Sequence, residues 1–111
     1  MKKIFISLLL LPFITTSQAK VYTPEQLNQM VNSGNYPEQS PAKSDSSKME
    51  FDTCLLTAKS IMSQIADNYP VSVIVDTSLV YSVKAWTNDG TVMVTCSQPD
   101  KKMVITQSQY K

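Results

Sequence analysis

The chain has 111 residues, with ten lysines, nine acidic residues and no histidine. That length sets one domain as the starting expectation. The missing histidine removes the commonest catalytic triads and zinc sites, and the scattered, balanced charge gives no support to a nucleic-acid or anionic-membrane partner.

The first nineteen residues read as a signal peptide. Lys2 and Lys3 form a positive start, Ile4 to Ile14 is nearly all apolar, and Ser17-Gln18-Ala19 supplies small residues for cleavage after Ala19. The apolar run is shorter than the roughly twenty residues a membrane span needs, and no Cys follows it to carry a lipid. An exported, periplasmic protein is therefore expected, without stable membrane insertion once the leader is removed. From Lys20 onward eight lysines face nine acidic residues, a net charge of −1.

The chain then divides into a short helix plus flexible linker over 20–48 and a helix-plus-sheet domain over 49–111. Thr23-Pro24-Glu25-Gln26 has the form of a capping box with proline at the first helical position. Leu27, Met30 and Val31 follow at helix spacing, and Gly34 stands where a left-handed C-terminal cap belongs. A helix this short is marginal alone. It docks on its own domain or acts as an arm that orders on a partner. Asn35 to Lys48 is rich in Ser and Pro and nearly free of apolar residues after Tyr36, so it reads as a linker, disordered or else functional.

Phe51, Cys54, Leu55, Ala58, Ile61, Met62, Ile65 and Tyr69 recur at three and four residues. They make one apolar stripe on a helix ending near Asn68, stopped by Pro70. Ser47 with Glu50 is one possible cap and Asp52 the preferred one. Alternating runs follow at Val71–Asp76, Leu79–Thr87, Thr91–Ser97 and Lys102–Thr106. An Asp89-Gly90 hairpin turn would set Ala85 opposite Val94 and Val83 opposite Cys96. The Gln98–Lys101 turn sets Cys96 opposite Met103 and Val94 opposite Ile105. Both turns put Tyr81, Val83, Ala85, Val92, Val94, Cys96, Met103 and Ile105 on one face, where the helix stripe would meet them.

The only two cysteines, Cys54 and Cys96, fall on those two apolar faces. An even count in a small exported domain reads as a disulfide, worth about 4 kcal/mol for this loop in the chain-entropy model. A metal pair or a reactive thiol is the competing reading; with no His and no third Cys, a metal site would have to rely on carboxylates. The expected fold is α+β: one main helix on a three- to four-stranded antiparallel meander, preceded by a short helix and closed by one disulfide.

The other sheet face carries Lys84, Trp86, Met93 and Val104, with Trp86 expected opposite Met93. That face is more apolar than a wetted face usually is. Trp86, Met93, Val104 and Lys84 therefore form a candidate partner-binding patch, unless the short helix covers it through Leu27 and Met30. No enzyme is expected, and no metal or cofactor. Ser40-Pro41-Ala42-Lys43 matches a Ser-x-x-Lys dyad only by chance, since proline breaks the helical turn the dyad needs. The aspartates sit at element ends where caps and turns use them, and two glycines make no phosphate-cradling loop.

Ser33-Gly34-Asn35-Tyr36-Pro37-Glu38-Gln39, Phe51-Asp52-Thr53-Cys54, Lys84 to Gly90 and Thr95-Cys96-Ser97 resemble segments of small exported proteins. Those proteins are encoded among the transfer genes of conjugative plasmids and related type IV secretion loci. The resemblance spans most of the chain after Ala19. It implies a non-enzymatic periplasmic accessory protein of conjugation, or a product affecting recipient-cell survival or entry exclusion, with an unidentified envelope protein as partner. The missing lipid-bearing Cys argues against the entry-exclusion variant. No catalytic residue comes with it. The alternative reading is a periplasmic inhibitor or immunity protein against a wall hydrolase or toxin, with the Asn35–Lys48 segment as its reactive loop.

Overall fold

A computed structural model describes residues 20–111; the expected signal peptide and its cleavage site lie outside the described residues. The elements are α1 (Pro24–Ser33), β1 (Lys43–Lys48), α2 (Phe51–Ile65), β2 (Val71–Asp76), β3 (Val80–Thr87), β4 (Gly90–Ser97) and β5 (Lys102–Gln109). The five strands form one antiparallel sheet in the order β1-β5-β4-β3-β2. The fold is α+β, with a Cys54–Cys96 disulfide joining α2 to β4 across Cα atoms 5.8 Å apart.

One face of the sheet packs on α2. Cys54, Ala58 and Met62 meet Tyr81, Val83, Ala85, Val94, Cys96 and Met103, all buried. These are the helix stripe and the strand face expected from the two periodicities. The helix starts differently, however. Its N-cap is Glu50, with no side-chain hydrogen bond, and Asp52 lies inside the first turn. Ser47 is unavailable for capping because it belongs to β1. The helix ends at Ile65, and the amides of Asn68 and Tyr69 both turn back onto the Ile65 carbonyl. That turn carries Tyr69 away from the stripe and to the opposite side of the sheet.

The register of the β3–β4 hairpin is offset by two from expectation. Thr87 pairs with Gly90, so the turn is Asn88-Asp89, and Tyr81, Val83 and Ala85 face Cys96, Val94 and Val92. An offset of two preserves parity, so every side chain still points to its expected face. Gly90 serves space rather than a positive φ: a Cβ there would be driven into the Ser108 carbonyl of the neighbouring strand. The next turn has the expected register, with Cys96 opposite Met103 and Val94 opposite Ile105.

The flexible linker is corrected in its second half. Lys43–Lys48 is an edge strand paired with β5 from Lys43–Gln107 to Lys48–Lys102. Every residue of it is exposed, so it has no apolar period for a sequence reading to find. An edge strand needs only backbone hydrogen bonds, and lysines at its ends suit that position. Residues 35–42 are strapped to the chain end as well. The Ser40 amide donates to Gln109, the Lys111 amide donates to Glu38, and Gln39 bridges Tyr110.

Candidate interaction surfaces

The second face of the sheet is covered at one end by α1. Thr23 caps this helix as expected: its hydroxyl accepts from the Gln26 amide at 3.1 Å, and its own amide donates to the Gln26 side chain at 2.8 Å. Gly34 closes it with φ 80°. The helix inserts Leu27, fully buried, beside Trp86 and Tyr110, with Tyr22, Val31 and Tyr69 around them. Asn28 ties it to the turn after α2 by donating to the Asn68 carbonyl at 3.2 Å.

Trp86 is therefore a core residue, 4% exposed. This corrects the expectation of a Trp86 surface anchor and bears out the competing reading that α1 covers the patch, through Leu27. Trp86 stands opposite Thr91 rather than Met93, and Lys84 is the residue opposite Met93. The aromatic that reaches solvent is Tyr36. Its ring stacks on Trp86 with centroids 5.5 Å apart and an interplanar angle of 19°, yet 58% of the residue is exposed. Tyr36 lies in an irregular segment, so no period pointed to it; the Tyr36-Pro37 pair was the only local signal.

Lys84 also reaches the indole, its ammonium 5.1 Å from the ring centroid and donating to Gln39 Oε1 at 2.7 Å. Burial lowers its pKa from the ordinary lysine value. Met93 is across the strand pair from Lys84, and Val104 lies diagonally beyond Met93 on β5. All three are half-buried. Tyr36, Lys84, Met93 and Val104 thus lie in a row along this face, with Trp86 beneath Tyr36 and Lys84. Cys54 and Cys96, the remaining singled-out residues, are fully buried in the opposite core and joined to each other.

Tyr110 completes the closed end and was not anticipated. Its ring meets Tyr22 edge-on at 5.0 Å. Its hydroxyl donates toward the Thr87 carbonyl at 2.6 Å and the Gly90 carbonyl at 3.1 Å. Burial, and then the negative charge of Asp89, push that hydroxyl well above the ordinary tyrosine range. The signal was parity: extending β5 past Thr106 puts Ser108 and Tyr110 on the Trp86 side.

An open cavity of about 390 Å3 lies at the end of the sheet, between the Ser40–Pro41 strap, the β3–β4 turn and the end of β5. Its lining includes Lys43 and Asp89 but no paired carboxylates. Among the described residues no group of three or more acidic or cysteine side chains is placed to hold a metal ion. Nor, among them, is any helix long and apolar enough to cross a membrane. Compared with family models, with curated proteins and with solved structures, the chain matches none of them.

Proposed function

We propose that this chain is a non-enzymatic binding protein of the periplasm, exported by a signal peptide cleaved after Ala19, that serves as an accessory component of a conjugative transfer or type IV secretion apparatus. The binding role rests on one observation: the strip of Tyr36, Lys84, Met93 and Val104 is half-open on the sheet, with an exposed aromatic and a methionine beside a cation. Aromatic residues and methionine are the side chains most enriched in interface centres. A ring already stacked on Trp86 loses little freedom on binding. The apparatus is suggested by the resemblance of the Tyr36, Cys54, Trp86 and Cys96 segments to exported conjugation proteins. The partner is an envelope protein presenting an apolar surface with an acidic group for Lys84.

The test is crosslinking of the tagged chain in its native host, followed by identification of captured proteins. Tyr36→Ala and Met93→Ser run beside the parent chain. Capture of envelope secretion proteins, lost in both variants while the disulfide and the fold persist, supports the proposal. Capture of a single wall hydrolase or toxin replaces it with the inhibitor reading. Undiminished capture by both variants sinks the strip as the binding surface.

A further inference from the structure

Beside the strip, α1 and the turn that follows α2 enclose a groove of about 560 Å3. Small-molecule sites run from about 300 to 1,000 Å3. Asn28 and Asn32, four residues apart and so on one face of α1, form one wall. Tyr69, Pro70 and Ser72 form the other, and Tyr36 lines the groove as well. Both walls are fixed before any ligand arrives. α1 is capped at both ends and anchored by the buried Leu27. Pro70 is buried, and its carbonyl accepts from the Trp86 amide at 3.1 Å. The Asn28 side chain ties the walls together: its Nδ2 donates to the Pro24 carbonyl at 2.8 Å and to the Asn68 carbonyl at 3.2 Å. Both protons of that group are then used, which leaves Oδ1 to accept from a ligand. Tyr36 rests one ring face on Trp86 and keeps the other exposed.

The lining selects among ligand classes. None of the described residues in it is acidic or basic. Lys84, opposite Ser72 on β3, turns its ammonium to Gln39 and the indole instead. A charged ligand therefore loses hydration here and finds no counter-charge. A wholly apolar ligand would cover two side-chain amides and a hydroxyl without giving them partners. The groove matches a neutral ligand with hydroxyls around its rim and C–H groups on its faces. We infer that it binds a saccharide, one sugar face lying on the open face of the Tyr36 ring and the hydroxyls bonding to Asn28, Asn32 and Ser72. A tyrosine ring is rigid, with an apolar body and a polar tip. Side-chain amides both donate and accept, as sugar hydroxyls do. The preformed walls spare the cost of ordering, but a groove open along one side buries only part of its ligand, so binding is weak. The inference does not rest on the conjugation reading. The groove shares Tyr36 with the strip but neither Met93 nor Val104.

The experiment uses the chain expressed from its own Met1 and purified in oxidised form. It is titrated with the linear trimer of N-acetylglucosamine and, separately, with maltotriose, and followed by amide chemical shifts. Saturable shifts confined to residues 28–36 and 68–72 are expected with at least one of the two. A response to the acetylated sugar alone supports the inference and assigns amino-sugar glycans. An equal response to both supports it through the hydroxyls and ring faces that neutral saccharides share. Tyr36→Ala weakens binding by about fivefold or more, and Tyr36→Phe retains it. Asn32→Ala, at an exposed helix position, weakens it by about fivefold. Met93→Ser leaves saccharide binding unchanged while it weakens partner capture, so the two readings fail separately. Far-UV circular dichroism of each variant must match the parent, which exposed and half-buried positions permit. The absence of a saturable response to either sugar overturns the inference, as does binding indifferent to both Tyr36→Ala and Asn32→Ala. A response to a neutral peptide with blocked ends, with none to the sugars, overturns it in favour of a peptide groove.

Discussion

The two faces of the sheet carry cores of different kinds. Under α2 lies a mainly aliphatic core of Met62, Val83, Ala85, Val94 and Met103, with Tyr81 as its one buried aromatic, clipped by the Cys54–Cys96 bridge. Behind the sheet lies an aromatic cluster of Leu27, Trp86 and Tyr110, ringed by Tyr22 and Tyr69. The first is built from one continuous stretch, a helix and the strands that follow it. The second gathers α1, the turn after α2, the end of β3 and the residue after β5. Hydrogen bonds between distant segments hold it in place of a covalent link: Tyr110 to the β3–β4 turn, Asn28 to Asn68, and the Tyr22 amide to the Asn88 carbonyl at 2.9 Å. The near face therefore sets the fold, and the far face fixes both ends of the described chain onto it. Loss of far-face contacts loosens α1 and the Tyr36 segment before it unfolds the sheet.

Replacing both cysteines by alanine attacks the near face and carries the largest effect. The bridge closes a separation of 42 residues, and its loss costs about 4 kcal/mol, read as a lower urea midpoint. A midpoint that does not move would mean that aliphatic packing alone holds this face. Trp86→Ala attacks the far face and costs about 3 kcal/mol, the low end for such a truncation, because Tyr36 and α1 can settle into part of the space. Proteolysis of the 20–42 segment should accelerate in this variant while the disulfide and the sheet's circular dichroism persist. Simultaneous collapse of both faces would show that they are one cooperative core and dissolve the distinction.

Tyr110→Phe sharpens the comparison. It removes the hydroxyl that bonds Thr87 and Gly90 at a cost of about 1 kcal/mol. Because the folded Tyr110 titrates above its unfolded value, its contribution is complete below about pH 10 and declines as pH rises beyond that. The parent chain should therefore lose stability on the alkaline side, and Tyr110→Phe should lose less. Equal alkaline losses would remove Tyr110 from that role. Thr23→Ala carries the smallest effect. It breaks the capping box of α1 at a cost of about 0.5 kcal/mol, seen as faster amide exchange in α1 and unchanged exchange in α2. A matching change in α2 would mean that the cap on one face is felt on the other.

What could be read in advance followed the same division. Hairpin parity and helix period independently assigned the near face, so a two-residue offset in the β3–β4 register left Cys96 against Cys54. The far face has no such redundancy. Trp86 looked like a surface anchor because its cover comes from Leu27, which is 59 positions earlier in the chain, and from Tyr36 in an irregular segment. Tyr110 lies beyond the strand that the alternation predicts over Lys102–Thr106, so its place on this face does not show in the sequence. β1 is wholly exposed and so has no hydrophobic pattern to betray it, and α2 begins at Phe51 without a side-chain cap although Asp52 is the better capping residue by type.

By itself the sequence determined the α1 caps, the α2 stripe, the facing of β3, β4 and β5, and the disulfide. Each of these follows from short-range periodicity or from residue types that only one backbone geometry accepts. Only the tertiary structure decided that Trp86 is floor and Tyr36 is surface, that Lys43–Lys48 closes one edge of the sheet, and that β2 stays open at the other. Those outcomes depend on which distant segments arrive beside a given strand. Long-range proximity leaves no periodic trace in the segments it joins.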